Sequence, residues 1–449
     1  MYLKNILKKL FFNDDVNGDK REVFSATFII LTLKLFFTFI GLMLSIVITR
    51  YLNTTEAGYY FFMISVVVLL SVVGRVGLDN AIVRFIAIAN KKLALPKINY
   101  ILLLSTRLAL PASVTIAVVL WVFGQYGVPR LIDDHAYVSP LLWAAYIIPI
   151  LSLYLVYVHG FQGLKQIITF ALFNGAVRLL NLIGLLVIIF LFGELSLEQV
   201  FSIYFIAHLL ALLLIIGVWT KRNGNVGLLY KQKDRFVDNA NVFKNKFYSC
   251  SFSLWGIACL AIVMGQGAQV LLGLFSNAEQ VAYFAVANRI AMLVSFILLA
   301  INGVLSPKFA EISNDNDIQR LQKLYRSSTN LMIVVACPIL VLSFIFSADI
   351  LSLFGPQYQA ASTTLRVLVA AQFVKVIVGA VGQLLIMTGK EQVQRKNLAV
   401  AVISLLILSL ILMPNYGALG AAIATFVAMT INNGLGLFNV IKKLNIKLF

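Results

Sequence analysis

Acidic residues are scarce in this chain. Only 18 of its 449 residues are Asp or Glu, against 36 Lys and Arg, and charged residues of both signs reach 12%, about half the share in a soluble globular protein. Histidine is scarcer still: His135, His159 and His208 stand apart, with no second ligand at metal spacing, so no metal site is expected. Cys250, Cys259 and Cys337 form no CxxC pair, and each sits in an apolar run, which reads as small hydrophobic packing. A phosphate loop of the GxxxxGK[ST] type is absent as well. The chain therefore has no means of hydrolysing nucleotides itself, and no cofactor is expected.

What fills the space is hydrocarbon. Hydrophobic residues make up 61% of the chain and the mean hydropathy is +0.93, more than a fold in water can bury. Apolar runs long enough to span a bilayer fall near 26–48, 58–83, 99–123, 138–159, 168–192 and 197–219, then 249–275, 281–306, 329–348, 361–387, 397–413 and 417–441. The fold expected is an all-α polytopic membrane protein with about twelve transmembrane helices in two pseudo-symmetric six-helix bundles. Residues 25–219 form the first bundle and 249–449 the second, with 220–248 as a basic cytoplasmic linker. Residues 1–24 place Lys4, Lys8 and Lys9 around an apolar stretch too short for a cleaved signal. They read as a cytoplasmic amphipathic segment at the membrane surface.

The basic excess follows this topology. Of the 36 basic residues, 27 fall on the side of the termini and linker, two (Arg50 and Arg130) on the other, and seven within the spans. That asymmetry puts both termini in the cytoplasm of a multi-pass protein of the plasma membrane. It also removes nucleic acid as a partner, because the positive charge is distributed by topology rather than gathered on one patch.

A repeat divides the chain at its midpoint. Glu56-Ala57-Gly58-Tyr59-Tyr60-Phe61, with a span ending in Val83-Arg84-Phe85, recurs 224 residues later as Gln280-Val281-Ala282-Tyr283-Phe284-Ala285, with a span ending in Pro307-Lys308-Phe309. An even number of spans per half gives parallel repeats about an axis along the membrane normal. Pro111 and Pro338 lie mid-span in the corresponding third and ninth helices. Each removes a backbone hydrogen bond that lipid cannot replace, so the gap is expected to face protein or water.

The seven intramembrane cations are Lys34, Arg75, Arg107, Arg178, Arg289, Arg366 and Lys375, and Asp79 alone offsets them. Asp79 follows Arg75 at i,i+4, which suggests a pair; Arg366 opens the tenth span and reads as interfacial. Lys34, Arg107, Arg178, Arg289 and Lys375 are the candidate cavity cations, since a guanidinium cannot shed its proton and must find water, carbonyls or an anion. Arg75, Asp79, Asn174, Asn181, Gln266, Gln269 and Asn288 are candidate polar supports. Glycines 265, 267 and 273 around the two glutamines read as helix packing. A net positive interior suits a phosphate or carboxylate cargo.

Several motifs resemble a known family. Thr49-Arg50-Tyr51-Leu52, Glu56-Ala57-Gly58-Tyr59-Tyr60 and Gly77-Leu78-Asp79-Asn80-Ala81-Ile82-Val83-Arg84-Phe85 are similar to bacterial polysaccharide-biosynthesis flippases of the Wzx type. Later segments agree: Phe354-Gly355 with Tyr358, and Pro414-Asn415-Tyr416-Gly417-Ala418-Leu419-Gly420-Ala421-Ala422. Those flippases belong to the multidrug/oligosaccharidyl-lipid/polysaccharide exporter superfamily. The resemblance implies a transporter, not an enzyme, that flips an undecaprenyl-diphosphate-linked oligosaccharide within membrane lipid by alternating access. A polysaccharide polymerase and a chain-length regulator are the partners of such a pathway. A drug/cation antiporter, a peptidoglycan-precursor flippase and a membrane glycan polymerase or ligase remain open at this point.

Overall fold

The computed structural model describes residues 19–91, 95–131, 134–224, 240–314 and 317–444. Most of the expected amphipathic segment (1–18) and the centre of the expected linker (225–239) lie outside them. The crossing helices of the first half are α1 (Asp19–Tyr51), α2 (Thr54–Gly74), α3 (Leu95–Val122), α4 (Val138–Gly163), α5 (Ile167–Phe192) and α6 (Leu197–Asn223). In the second half are α7 (Ala240–Phe275), α8 (Ala278–Asn314), α9 (Ile318–Ile345) and α10 (Ser362–Val378). The last helix, Glu391–Leu444, breaks at Gly417 (φ 51°) into α11 (391–416) and α12 (417–444). Gly420 lies against the Leu412 carbonyl, which shows that the chain turns back there. Ten helices among the described residues are long and apolar enough to cross a membrane, one of them this 54-residue pair, and α8 carries the remaining expected span.

Local chemistry sets the helix ends. Asn53 accepts from the Glu56 amide while Glu56 accepts from the Asn53 amide, at 2.8 and 3.2 Å, and this reciprocal cap starts α2. Ser196 and Gln199 start α6 in the same way. Left-handed Gly193 ends α5. Pro111 in α3 and Pro338 in α9 sit within helices that run on past them.

The two halves repeat one packing pattern. In the first, α4 packs against α2, α3 and α6; in the second, α10 packs against α8, α9 and the α11–α12 pair. Outward faces are apolar: Phe190, Leu191 and Phe192 at the end of α5, and Ile403, Ile407 and Ile411 along α11, are all exposed. Only a bilayer solvates such a belt, and only helices satisfy their own backbone within it. The chain is thus an all-α polytopic membrane protein of two pseudo-symmetric bundles. For reference, the linker face is the side where α6 ends and α7 begins, and the distal face is the opposite one.

Contact between the bundles centres on α2, which packs on both α7 and α8. Gly58 makes this possible, because a Cβ there would meet the Ala278 carbonyl oxygen at 1.8 Å. In the same way Phe62 seats its ring against Gly273 of α7, in keeping with a packing role for that glycine.

One expectation is corrected here. The run 58–83 reads as a single span, yet α2 stops at Gly74 and a second helix, Leu78–Lys91, follows. Val76 (φ 49°) and Gly77 (φ 75°) form the break, a conformation that hydropathy does not reveal and that is unfavourable for a β-branched residue. Several contacts hold it. Ser251 of α7 donates to the Val76 carbonyl at 2.6 Å. Arg75 donates to both Asp79 oxygens at 2.6 and 2.9 Å and to Ser71 at 3.1 Å, and His159 of α4 lies 3.7 Å from the same carboxylate. The i,i+4 pair therefore bridges two helices rather than lying along one. Arg75 is 3% exposed, so removing its partner leaves an uncompensated buried charge. Asp79→Ala is expected to cost about 3 kcal/mol in thermal unfolding of the purified protein in detergent, with much of it recovered when Arg75 is replaced by Met in the same chain.

Candidate functional site

The site assembles around α2, where neighbouring side chains point into different bundles. Tyr60 is fully buried and meets Tyr204 of α6 edge-on, at 6.1 Å between ring centroids. Phe61 turns toward the second bundle, where the Arg289 guanidinium of α8 lies 4.6 Å over its ring. Gln269 of α7 donates to the Phe61 carbonyl at 2.8 Å. One turn of α2 thus touches both bundles.

Arg178 reaches the same place from α5. Gly175, one turn earlier, lets the Phe37 ring of α1 lie flush on the α5 backbone; a Cβ there would fall about 2.0 Å from that ring. The close approach brings the Phe37 carbonyl to 3.4 Å from Nη1 of Arg178. Arg289 lies within electrostatic reach of Arg178, Tyr60 and Tyr204, and Arg178 within reach of Tyr204. Arg178 is exposed on one side and Arg289 half-buried. Asn181, a turn beyond Arg178, is fully buried; its amide donates to the Tyr60 hydroxyl at 3.5 Å, and its carbonyl oxygen has no partner. His208 lies beside Tyr204 with its ring tilted, at 4.3 Å between centroids, and bonds the Tyr204 carbonyl through Nδ1.

The other candidates lie apart from this pair. Lys34 is exposed on α1, one turn from Phe37. Arg107 is exposed on α3, close enough to Tyr248 of α7 to act on it electrostatically. Lys375 of α10 donates to Ser295 of α8 at 3.2 Å, and Ser295 donates to Gln372 at 3.0 Å. Arg75 and Asp79 are engaged at the α2 break. Arg366 bonds Ser347 at 2.9 Å. Asn174 is exposed, and Gln266 and Asn288 are half-buried.

Two fixed positive charges therefore lie within electrostatic reach of each other near the bundle boundary, and among the described residues no carboxylate pairs with either. Ring faces, hydroxyls and one carbonyl compensate them in part. An anion with several oxygens would complete the arrangement, because guanidinium planes match phosphate and carboxylate oxygens two at a time. The residues missed in the sequence are Tyr60, Phe61, Tyr204 and His208. A hydroxyl-bearing aromatic four residues before a histidine, in an otherwise apolar span, is a signal for the last two. Gly175→Ala is expected to lower thermal stability by about 1–3 kcal/mol, since α1 must move off α5 and take the Phe37 carbonyl with it.

Comparison with known proteins fits this architecture. A family model described as "Polysaccharide biosynthesis protein" matches residues 23–313, and the MatE model matches 255–414. Among curated proteins, the chain is similar to the probable flippase AglR of Haloferax volcanii, 26% identical over 167 residues, covering 36% of this chain and 35% of that protein. It is also similar to the probable low-salt glycan biosynthesis flippase Agl15 of the same organism, 22% identical over 166 residues, covering 37% and 35%. The match spans about a third of the length of these relatives. Among solved structures, an inward-facing multidrug resistance MATE family transporter of the MOP superfamily superposes with a TM-score of 0.73 at 13% identity, over 93% of this chain and 98% of that one. The lipid II flippase MurJ, in an inward closed conformation, gives 0.67 at 14% identity, over 92% and 87%. These structures establish the shared twelve-helix, two-lobe fold. With a match across nearly two thirds of its length, the chain belongs to the polysaccharide biosynthesis protein family.

Proposed function

We propose that this chain is a flippase that moves an undecaprenyl-diphosphate-linked oligosaccharide repeat unit, such as an O-antigen or capsule unit, from the cytoplasmic to the outer leaflet of a bacterial plasma membrane. Residues 25–219 and 249–449 are the two lobes of an alternating-access cycle, with the linker face cytoplasmic and the distal face external. One observation carries the reading: Arg289 lies within electrostatic reach of Arg178, Tyr60 and Tyr204 at the lobe boundary, and among the described residues no carboxylate pairs with either guanidinium. A diphosphate offers two linked anionic groups to two guanidiniums. Family membership and the two flippase relatives support a glycan-linked cargo.

In this mechanism no bond is made or broken. The headgroup exchanges water for the guanidinium pair, the lobes rock, and the polyprenyl tail stays in lipid. Lys34, Arg107 and Lys375 add to the positive field, while Asn174, Gln266 and Asn288 supply amides for sugar hydroxyls. An inside-negative membrane favours outward movement of an anion by about 2.3 kcal/mol per charge per 100 mV. A polymerase and a chain-length regulator would consume the product. Drug/cation antiport has less support, because Asp79 is already engaged by both Arg75 and His159.

Replacement of Arg178 or Arg289 by Ala, in a strain lacking the gene, is expected to abolish surface glycan and to leave lipid-linked units in the inner leaflet, with Lys variants partly active. Full surface glycan from both Ala variants at normal membrane abundance overturns the reading. Topology has its own check: a phosphatase that is active only outside the cytoplasm should be active when fused after Glu194 and silent when fused after Lys165.

A further inference from the structure

Two of the motifs quoted from the sequence lie far apart in the chain and play no part in the anion site, yet Arg50 of one reaches the residues immediately before the other. Arg50, at the end of α1, donates from Nε to the Leu353 carbonyl at 2.9 Å and from Nη2 to the Ser352 carbonyl at 3.5 Å. Those carbonyls close the short helix Ser347–Ser352, where the dipole of a helix end favours a cation. The receiving segment is fixed to the second lobe. Gly355 turns the chain at φ 136°, and fully buried Tyr358 meets Tyr283 of α8 edge-on at 5.8 Å. A bond to this segment is therefore a bond from lobe to lobe.

Its position and chemistry differ from the other contacts on the distal half. Gly58 against Ala278 and Phe62 against Gly273 are buried steric contacts. Arg50 is exposed, so water can replace the two carbonyls as the lobes part. The repeat does not require it: 224 residues on, at the equivalent place in α7, stands Leu274, which is exposed. Arg50 is also one of only two basic residues that the topology puts on the distal side. A cation retained there, on one lobe only and aimed at carbonyls of the other, has a task that neither topology nor packing provides.

We propose that Arg50 is a one-sided latch on the distal mouth: its bonds to Ser352 and Leu353 hold the outer ends of the lobes together, and their release is a step in opening to the outside. The inference rests on the alternating-access reading, but not on the identity of the cargo. Its test can therefore fail while the cargo assignment stands, and the reverse also holds.

The test uses the full-length protein in intact cells, with Cys250, Cys259 and Cys337 replaced by Ser and a single reporter cysteine at Ala282, a fully buried position near the distal end of α8. A membrane-impermeant maleimide is added from outside. Arg50→Ala is expected to raise the labelling rate roughly five- to tenfold, as for the net loss of about one ordinary hydrogen bond, and Arg50→Lys to lie between it and the parent. Equal labelling of Arg50→Ala and parent overturns the latch. A second measurement covers poor folding of the Ala variant. Arg50→Cys and Leu353→Cys are joined by a short reducible bis-thiosulfonate; the bridge should suppress labelling at position 282 and reduction should restore it. Labelling that is indifferent to the bridge also overturns the proposal.

Discussion

Everything near the lobe boundary answers to one electrostatic constraint: two guanidiniums stand within the membrane-spanning region, and among the described residues no carboxylate pairs with either. Arginine cannot escape the problem by losing its proton. Arg289 is met by the face of Phe61 and Arg178 by a main-chain carbonyl, while Tyr60, Tyr204 and Asn181 supply dipoles around them. Neutral groups of this kind soften the cost of a buried charge without cancelling it. In the proposed function the remaining deficit is what an anionic headgroup would fill, which would tie stability and binding to the same atoms.

Hydrophobic association cannot hold the lobes together where lipid is as apolar as leucine; fit and polar contacts must. That explains why the close approaches between lobes fall on glycine at Gly58 and Gly273, which accommodate a carbonyl and a ring where a methyl group would collide. It also explains why the polar bonds between lobes so often end on main-chain carbonyls: Gln269 on Phe61, Ser251 on Val76 and Arg50 on Leu353. A carbonyl acceptor binds a donor without adding a second charge to the membrane.

Much of the architecture is legible in the sequence. Span lengths, the basic asymmetry and the 224-residue offset all follow from residue type and spacing, and bilayer thickness makes such patterns strict. The site was legible only as a set of candidates. Arg178 and Arg289 stood out as charges out of place, but so did Lys34, Arg107 and Lys375, and only helix packing decides which of them meet. Tyr60 and Tyr204 carried no electrostatic flag, because a tyrosine in an apolar run resembles packing. The break after α2 was hidden for another reason. Hydropathy reads side chains, whereas Val76 and Gly77 depart in backbone angle, and their acceptor of stress, Ser251, lies 175 residues away.

That last contact bears on how the molecule can move. By sequence α2 is part of the first lobe, but below its break it is tied to α7 of the second through the Val76 carbonyl, and its upper turns press on α8. A rod fastened to both halves of a rocking body travels fully with neither. In the proposed cycle it would serve as the axle, and Tyr60 and Phe61, mounted on it back to back, would turn their faces in opposite senses relative to the two arginines as the halves swing.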